Sequence, residues 1–200
     1  MSSVYPFVAA LVAYLIGSIS FAVVVSRAMG LKDPRTYGSH NPGATNVLRS
    51  GNKAAALITL IGDGLKGFVA VFLALRAGAQ LGTAEWLVPA TALAVFLGHI
   101  FPVFHRFAGG KGIATAAGIL FALHWPLALA LTVVWLVMAF GFRISSLAGL
   151  TAAVLFPLGV FYVEGPTLIA AVSVVIALLL FWRHRGNIAQ LLAGGERRIG

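Results

Sequence analysis

The 200-residue chain contains no cysteine, which excludes a disulfide framework and any thiolate metal site. Charge is scarce: Asp, Glu, Lys and Arg make up 10% of residues, against about 25% in soluble domains. Acids are the scarcest, five against 14 Lys and Arg, giving a formal net charge of +9. There is no carboxylate cluster and no pair of histidines at ligand spacing, so no metal site is expected. No Lys or Arg precedes Phe7, so the basic stretch that opens a signal peptide is missing. The first apolar segment is therefore expected to stay as a spanning helix. No low-complexity tract and no convincing repeat interrupts the chain.

What is present is hydrocarbon. Hydrophobic residues make up 60% of the chain, against roughly 45–50% in soluble proteins. A soluble fold could not cover itself with so little polar surface. The expectation is an all-α integral membrane protein, residues 1–200 forming a single domain with no soluble appendage.

A crossing helix needs about 20 apolar residues. Residues 4–26, 54–77 and 86–105 qualify, although Asp63 and Lys66 lie inside the second run. The long apolar run 113–141 contains Pro126, which cannot continue a helix undisturbed, so it is split in two. Its first part, 113–124, is short for a crossing and reads as a segment starting within the membrane or re-entrant. Residues 147–163 and 167–183 complete the set, joined by a tight Glu164-Gly165-Pro166 turn. The count is seven spans, or five if 113–141 folds back. With seven, one side collects Arg27, Lys32, Arg35, Arg49, Lys53, Arg106, Lys111, Arg143, Arg183, Arg185, Arg197 and Arg198. The other side holds Arg76, Glu85, His124 and Glu164. The positive-inside bias makes the basic side cytoplasmic, with the N-terminus outside and the C-terminus inside.

Three polar segments fall on that side. "YGSHNPGATNVLRSGNKAA" has glycines that let backbone N–H groups approach a ligand, and side-chain donors on Ser39, Thr45 and Asn46. Backbone donors in such turns form anion nests, and the Arg49 guanidinium fits a phosphate. The competing reading is a surface loop of turn residues. "GHIFPVFHRFAGGKGIATAAG" sets Lys111 among Gly109, Gly110 and Gly112 before an apolar helix, a pattern that suits an oxyanion. It is not a Walker A loop, because the spacing and the Ser/Thr after the lysine are missing. Its competing reading is a hinge with a topology charge, then small residues for helix packing. "WRHRGNIAQLLAGGE" begins with basic residues of the kind that anchor to head groups. His184 and Asn187, three apart, share a helix face and look more like a site.

The short "GFRISS" loop adds Arg143, Ser145 and Ser146 at the same level. Asp63 reads as the partner of Lys66 one turn along, or as a group that orients a basic residue. His40, His99, His105 and His124 read as ordinary satisfied polar residues. Taken together, Lys111, Arg49, Arg143 and Arg185 would converge at the cytoplasmic face, with neutral donors from Ser39, Thr45, Asn46, Ser146 and Asn187. No acid enters these segments until Glu196. Such a site would hold phosphates, and hydrogen bonds to charged groups contribute roughly 1.5–3 kcal/mol each. No Ser-His-Asp arrangement, no G-x-S-x-G elbow and no HxxxxD pattern is present.

"GSHNPGATNVLR", "GHIFPVFHRFAGGKGIAT" and "HRGNIAQLLAGGE" closely resemble the three signature segments of the bacterial PlsY family of membrane acyltransferases. "GSISF", "GDGLKG" and "RISSL" extend the resemblance over nearly the whole chain. His40 and Ser20 depart from the family pattern at positions outside the expected site. The resemblance implies transfer of an acyl group from acyl phosphate to the sn-1 hydroxyl of glycerol 3-phosphate, giving lysophosphatidic acid and inorganic phosphate. It implies that Ser39, Arg49, Lys111, Ser146, His184 and Asn187 bind glycerol 3-phosphate. Lys111, His184 and Asn187 are the expected catalytic residues. The Asn41–Asn46 loop, with Gly43, Thr45 and Asn46, would hold the acyl phosphate, with Arg143 and Gly110 completing the substrate contacts. The general base stays open between His184 and a substrate phosphate oxygen. No cofactor, no metal and no nucleic acid is expected; the partners are the two substrates and membrane lipid, and the expected state is a monomer in the bacterial inner membrane. The rival readings are a transporter of organic phosphates, which shares a basic cluster and broken helices, and a structural scaffold.

Overall fold

A computed structural model of the chain describes residues 5–199. Every regular element among them is helical. Two compact units divide the chain, Met1–Leu123 and His124–Gly200.

In the first unit, α1 (Tyr5–Gly17) and α2 (Phe21–Ala28) are two halves bent by 43° at residues 18–20. The apolar run had suggested one continuous span over 4–26. The break is tolerated because its carbonyls find a buried donor: Lys66 Nζ donates to Gly17 O at 2.9 Å and Ile19 O at 2.7 Å. Non-helical backbone at membrane depth survives only with such partners. A polar loop and the short α3 (Ala44–Leu48) follow. Val47 is fully buried among Ala22, Val25, Ala55 and Ala56, which fixes α3 against the helices on either side.

α4 (Lys53–Leu81) begins where Asn52 accepts a hydrogen bond from the Ala55 N–H at 2.9 Å, and ends at Gly82 in the left-handed region, φ 65°. Its 29 residues rise about 44 Å, more than the roughly 30 Å of hydrocarbon. It packs against α5 (Ala84–Ile100) and α6 (Ile113–Leu123), and α1 packs on α5. These approaches need small residues. A Cβ added at Gly118 would stand 1.8 Å from the Gly64 carbonyl oxygen, and one at Gly98 would stand 2.1 Å from the Tyr14 oxygen. Without a hydrophobic drive between helices in lipid, such backbone proximity supplies the contact area. A 3₁₀ turn (Val103–His105) and a glycine-rich stretch join α5 to α6.

In the second unit, α7 (Trp125–Phe142) starts at His124, whose side chain accepts from the Leu127 N–H, with Pro126 in its first turn. Proline there lacks only an N–H that the helix leaves unbonded anyway. α8 (Ser145–Glu164) and α9 (Leu168–Arg183) form a hairpin through the expected Glu164-Gly165-Pro166 turn, and α10 (Arg185–Leu192) leaves α9 at 59°. Phe156, Val160, Ile176 and Leu180 are buried in this unit, while Phe140 and Tyr162 are exposed.

Among the described residues the apolar runs are helical, with the first broken at residues 18–20 and the third, expected over 86–105, leaving its α-helix at Ile100 before the 3₁₀ turn. Among the described residues, four helices are long and apolar enough to cross a membrane, or up to six if each bent pair counts as one span. α6, with 11 residues, rises about 16 Å, half a bilayer core.

Candidate functional site

The loop before α3 is organised around Asn46, 2% exposed. Its Oδ1 accepts from the Ser39 N–H at 3.0 Å and from Arg49 Nη1 at 3.3 Å. Its Nδ2 donates to Pro34 O at 2.6 Å and Tyr37 O at 3.1 Å. The amide is thus turned into its own loop and sets the positions of Ser39 and Arg49, which are exposed and available to a ligand. Upstream, Asp33 accepts a bidentate pair of hydrogen bonds from Arg35, at 3.0 and 2.6 Å, and this partner holds its carboxyl below the usual carboxylate range.

The glycine-rich turn lies against this loop. Gly109 and Gly110 are buried, Lys111 is half-buried, and Gly110 N–H donates to His99 O at 3.2 Å. A Cβ added at Gly110 would be 3.1 Å from the Pro42 carbonyl oxygen. Two segments far apart in sequence are therefore in contact, and α6 starts just after the glycine turn. The N–H groups of a helix's first turn have no intrahelical acceptor, so a glycine turn feeding one is suited to an anion.

The second unit gathers the other residues. Ser146, buried at the start of α8, donates from Oγ to Glu196 Oε1 at 2.7 Å. Asn187 Nδ2 donates to the same oxygen at 2.7 Å. His184, 3% exposed, stands at the α9–α10 bend with Nδ1 2.8 Å from Leu180 O. A carbonyl can only accept, so Nδ1 carries the proton and Nε2 is the basic nitrogen of the neutral ring. Arg143 ends α7 in the left-handed region, φ 59°, and exchanges hydrogen bonds with Ile199, from Nη2 to Ile199 O and from Ile199 N–H to its own carbonyl. Arg185, also expected in the cation cluster, stacks over the Trp182 ring at 5.0 Å.

Sequence reasoning missed Glu196, which joins Ser146 to Asn187. Its only signal was being the sole acid in the C-terminal segment. It also missed His99, which faces the buried Asp63–Lys66 pair from α5 with Nδ1 3.7 Å from Asp63 Oδ1. The Asp63–Lys66 contact itself was expected and is present at 3.0 Å.

A family model described as glycerol-3-phosphate acyltransferase matches residues 7–194, across both units. The chain belongs to this family. A glycerol-3-phosphate acyltransferase of Cupriavidus pinatubonensis is 63% identical over 193 residues, covering 96% of this chain and 95% of the relative. One from Burkholderia multivorans is 60% identical over 194 residues, covering 96% and 90%. Among solved structures, the glycerol 3-phosphate form of PlsY, an integral membrane glycerol 3-phosphate acyltransferase, is similar with a TM-score of 0.91 at 39% identity, covering 98% of this chain and 96% of that one. Its lysophosphatidic acid form matches with a TM-score of 0.89 at 38% identity. This chain is accordingly an integral membrane member of the glycerol-3-phosphate acyltransferase family.

Proposed function

We propose that the protein transfers an acyl group from acyl phosphate to the sn-1 hydroxyl of glycerol 3-phosphate. The observation that carries this reading is the junction of the Ser39–Arg49 loop with the Gly109–Gly110–Lys111 turn, two anion-suited segments in contact. An acyl phosphate reaction must hold two phosphates near each other, and the two segments in contact carry a guanidinium on one, an ammonium on the other and backbone donors on both. The solved PlsY forms with glycerol 3-phosphate and with lysophosphatidic acid support the acceptor and the product.

In the proposed reaction the sn-1 oxygen attacks the acyl carbonyl carbon. The bond from that carbon to the phosphate oxygen breaks, phosphate leaves, and the hydroxyl proton passes to a phosphate oxygen or to His184 Nε2. Acyl phosphate is a mixed anhydride with a good leaving group, so little acid assistance is needed. Ser39, Arg49, Lys111, Ser146, His184 and Asn187 are assigned to glycerol 3-phosphate. Asn41, Gly43, Thr45, Gly110 and Arg143 are assigned to the acyl phosphate, with Asn46 holding the loop from within, and backbone donors there stabilise the developing oxyanion. Seven membrane segments, with α6 as the short one, put the N-terminus outside and these residues on the cytoplasmic side of the inner membrane. The protein acts as a monomer without cofactor or metal.

The test is purified protein in detergent with palmitoyl phosphate, glycerol 3-phosphate and chelator. Phosphate release that needs both substrates and yields lysophosphatidic acid is the expected result. No product from folded protein overturns the reading and favours an organic-phosphate transporter. His184→Gln separates the two proton routes: retained kcat with raised KM fits a binding role, and a collapse of kcat at unchanged KM fits a base.

A further inference from the structure

We propose that Asp63, Lys66 and His99 form a buried positioning triad that sets the Gly109–Gly110–Lys111 turn for phosphate. The phosphate part of this inference rests on the function proposed above.

All three side chains are buried, at 3%, 4% and 7% exposure. Asp63 and Lys66 stand one turn apart on α4, and His99 is in the last turn of α5. Lys66 Nζ has three acceptors within reach: Asp63 Oδ1 at 3.0 Å, Gly17 O at 2.9 Å and Ile19 O at 2.7 Å. Two of the three ammonium donors are thus committed to the α1–α2 break and the charge is paired with Asp63, which holds Lys66 in the fold rather than at the glycine turn. Its ammonium is instead the counter-charge of the Asp63 carboxylate, 3.0 Å away.

That carboxylate faces the Nδ1 edge of His99 at 3.7 Å. The opposite edge of the ring meets the glycine turn. A Cβ added at Gly110 would lie 2.3 Å from His99 Nε2 and 2.8 Å from Cε1. The main chain of His99 holds the same turn, since His99 O accepts from the Gly110 N–H, and a Cβ at Gly109 would be 2.2 Å from that oxygen. Thr115 Oγ1 donates to Asp63 O at 2.9 Å, tying the first turn of α6 to the same point of α4. The carboxylate thus orients the imidazole, and the imidazole and its carbonyl place the turn that carries Lys111.

The test contrasts two replacements. Gln carries its amide nitrogen near the reach of Nε2, and Asn carries its own near Nδ1. Binding of inorganic phosphate to the full-length protein in detergent is measured by titration calorimetry, alongside the thermal midpoint. The expected result is about tenfold weaker phosphate binding for His99→Asn, which loses the edge facing the turn, with a smaller loss for His99→Gln, which keeps that edge but loses the one facing Asp63, and the two midpoints alike. Equal binding in both variants, or losses that follow the midpoint, would overturn the triad. If His99→Asn does not fold, Asp63→Asn reads the same turn: about tenfold weaker binding is expected, and unchanged binding overturns the proposal. Acylation by the parent protein is assayed in parallel. Phosphate binding without lysophosphatidic acid would sink the acyltransferase reading and leave the triad standing. Acylation with equal binding in the variants would do the reverse.

Discussion

The two units solve the same problem, fixing polar side chains in an apolar protein, in opposite ways. The first buries its ionic groups: Asp63, Lys66 and His99 lie on α4 and α5, and carbonyls of the α1–α2 break satisfy the ammonium. The second draws its polar groups together at helix ends, where Glu196 in the C-terminal tail accepts from Ser146 and Asn187. A buried pair costs desolvation and is intolerant of losing one partner. A half-buried carboxylate at a helix end can rehydrate. The first arrangement is therefore rigid and all-or-none, and the second is adjustable.

Breaking the first unit should produce the largest effect. Lys66→Ala leaves Asp63 without its counter-charge and the Gly17 and Ile19 carbonyls without their donor. A loss of about 3–5 kcal/mol is expected, seen as a large fall in the thermal midpoint or in folded yield. A midpoint near that of the parent would show that water enters the break and that the buried pair is not what holds it.

Lys111→Ala comes next and should leave folding intact, because this side chain is only half-buried. Loss of about 3–4 kcal/mol of transition-state stabilisation lowers kcat/KM by two to three orders of magnitude. Activity within about threefold of the parent would remove Lys111 from the site. Glu196→Ala tests the adjustable arrangement. Removing a charged acceptor of two hydrogen bonds should cost roughly 1.5–3 kcal/mol in kcat/KM, with little change in midpoint, and Glu196→Gln should recover most of it. A midpoint collapse like that of Lys66→Ala would erase the contrast between the units.

The smallest effect belongs to Asp33. Arg35 lowers its carboxyl pKa in the folded state, so the pair's contribution is present at neutral pH and is lost as pH falls through the folded value. Asp33→Asn should narrow the gap in thermal midpoint between neutral and acidic pH, by little, since the pair is partly exposed. An unchanged acid dependence would show that the pair contributes nothing to folding.

Much of this was legible in the residues. Most apolar runs became single helices, Pro126 separated α6 from α7, and Glu164-Gly165-Pro166 turned the chain between α8 and α9. The Asp63–Lys66 contact followed from helical spacing alone. Among the site residues, Asn46 was read as a donor toward a ligand, and the fold turns its amide into four contacts within its own loop. Sequence chemistry identified a polar side chain at the right place but not the direction it faces. The break at residues 18–20 was missed because hydropathy averages over a window and cannot register a lysine 47 residues away in sequence.

Composition and periodicity by themselves determined the membrane, the helices and the supply of phosphate-seeking groups, because hydropathy, proline placement and helical spacing act over a few neighbouring residues. Only the tertiary structure decided that Pro42 meets Gly110, that His99 stands between Asp63 and the glycine turn, and that Glu196 joins Ser146 to Asn187. Those are through-space choices. Each is made where a buried donor or acceptor must find a partner that its own segment does not contain.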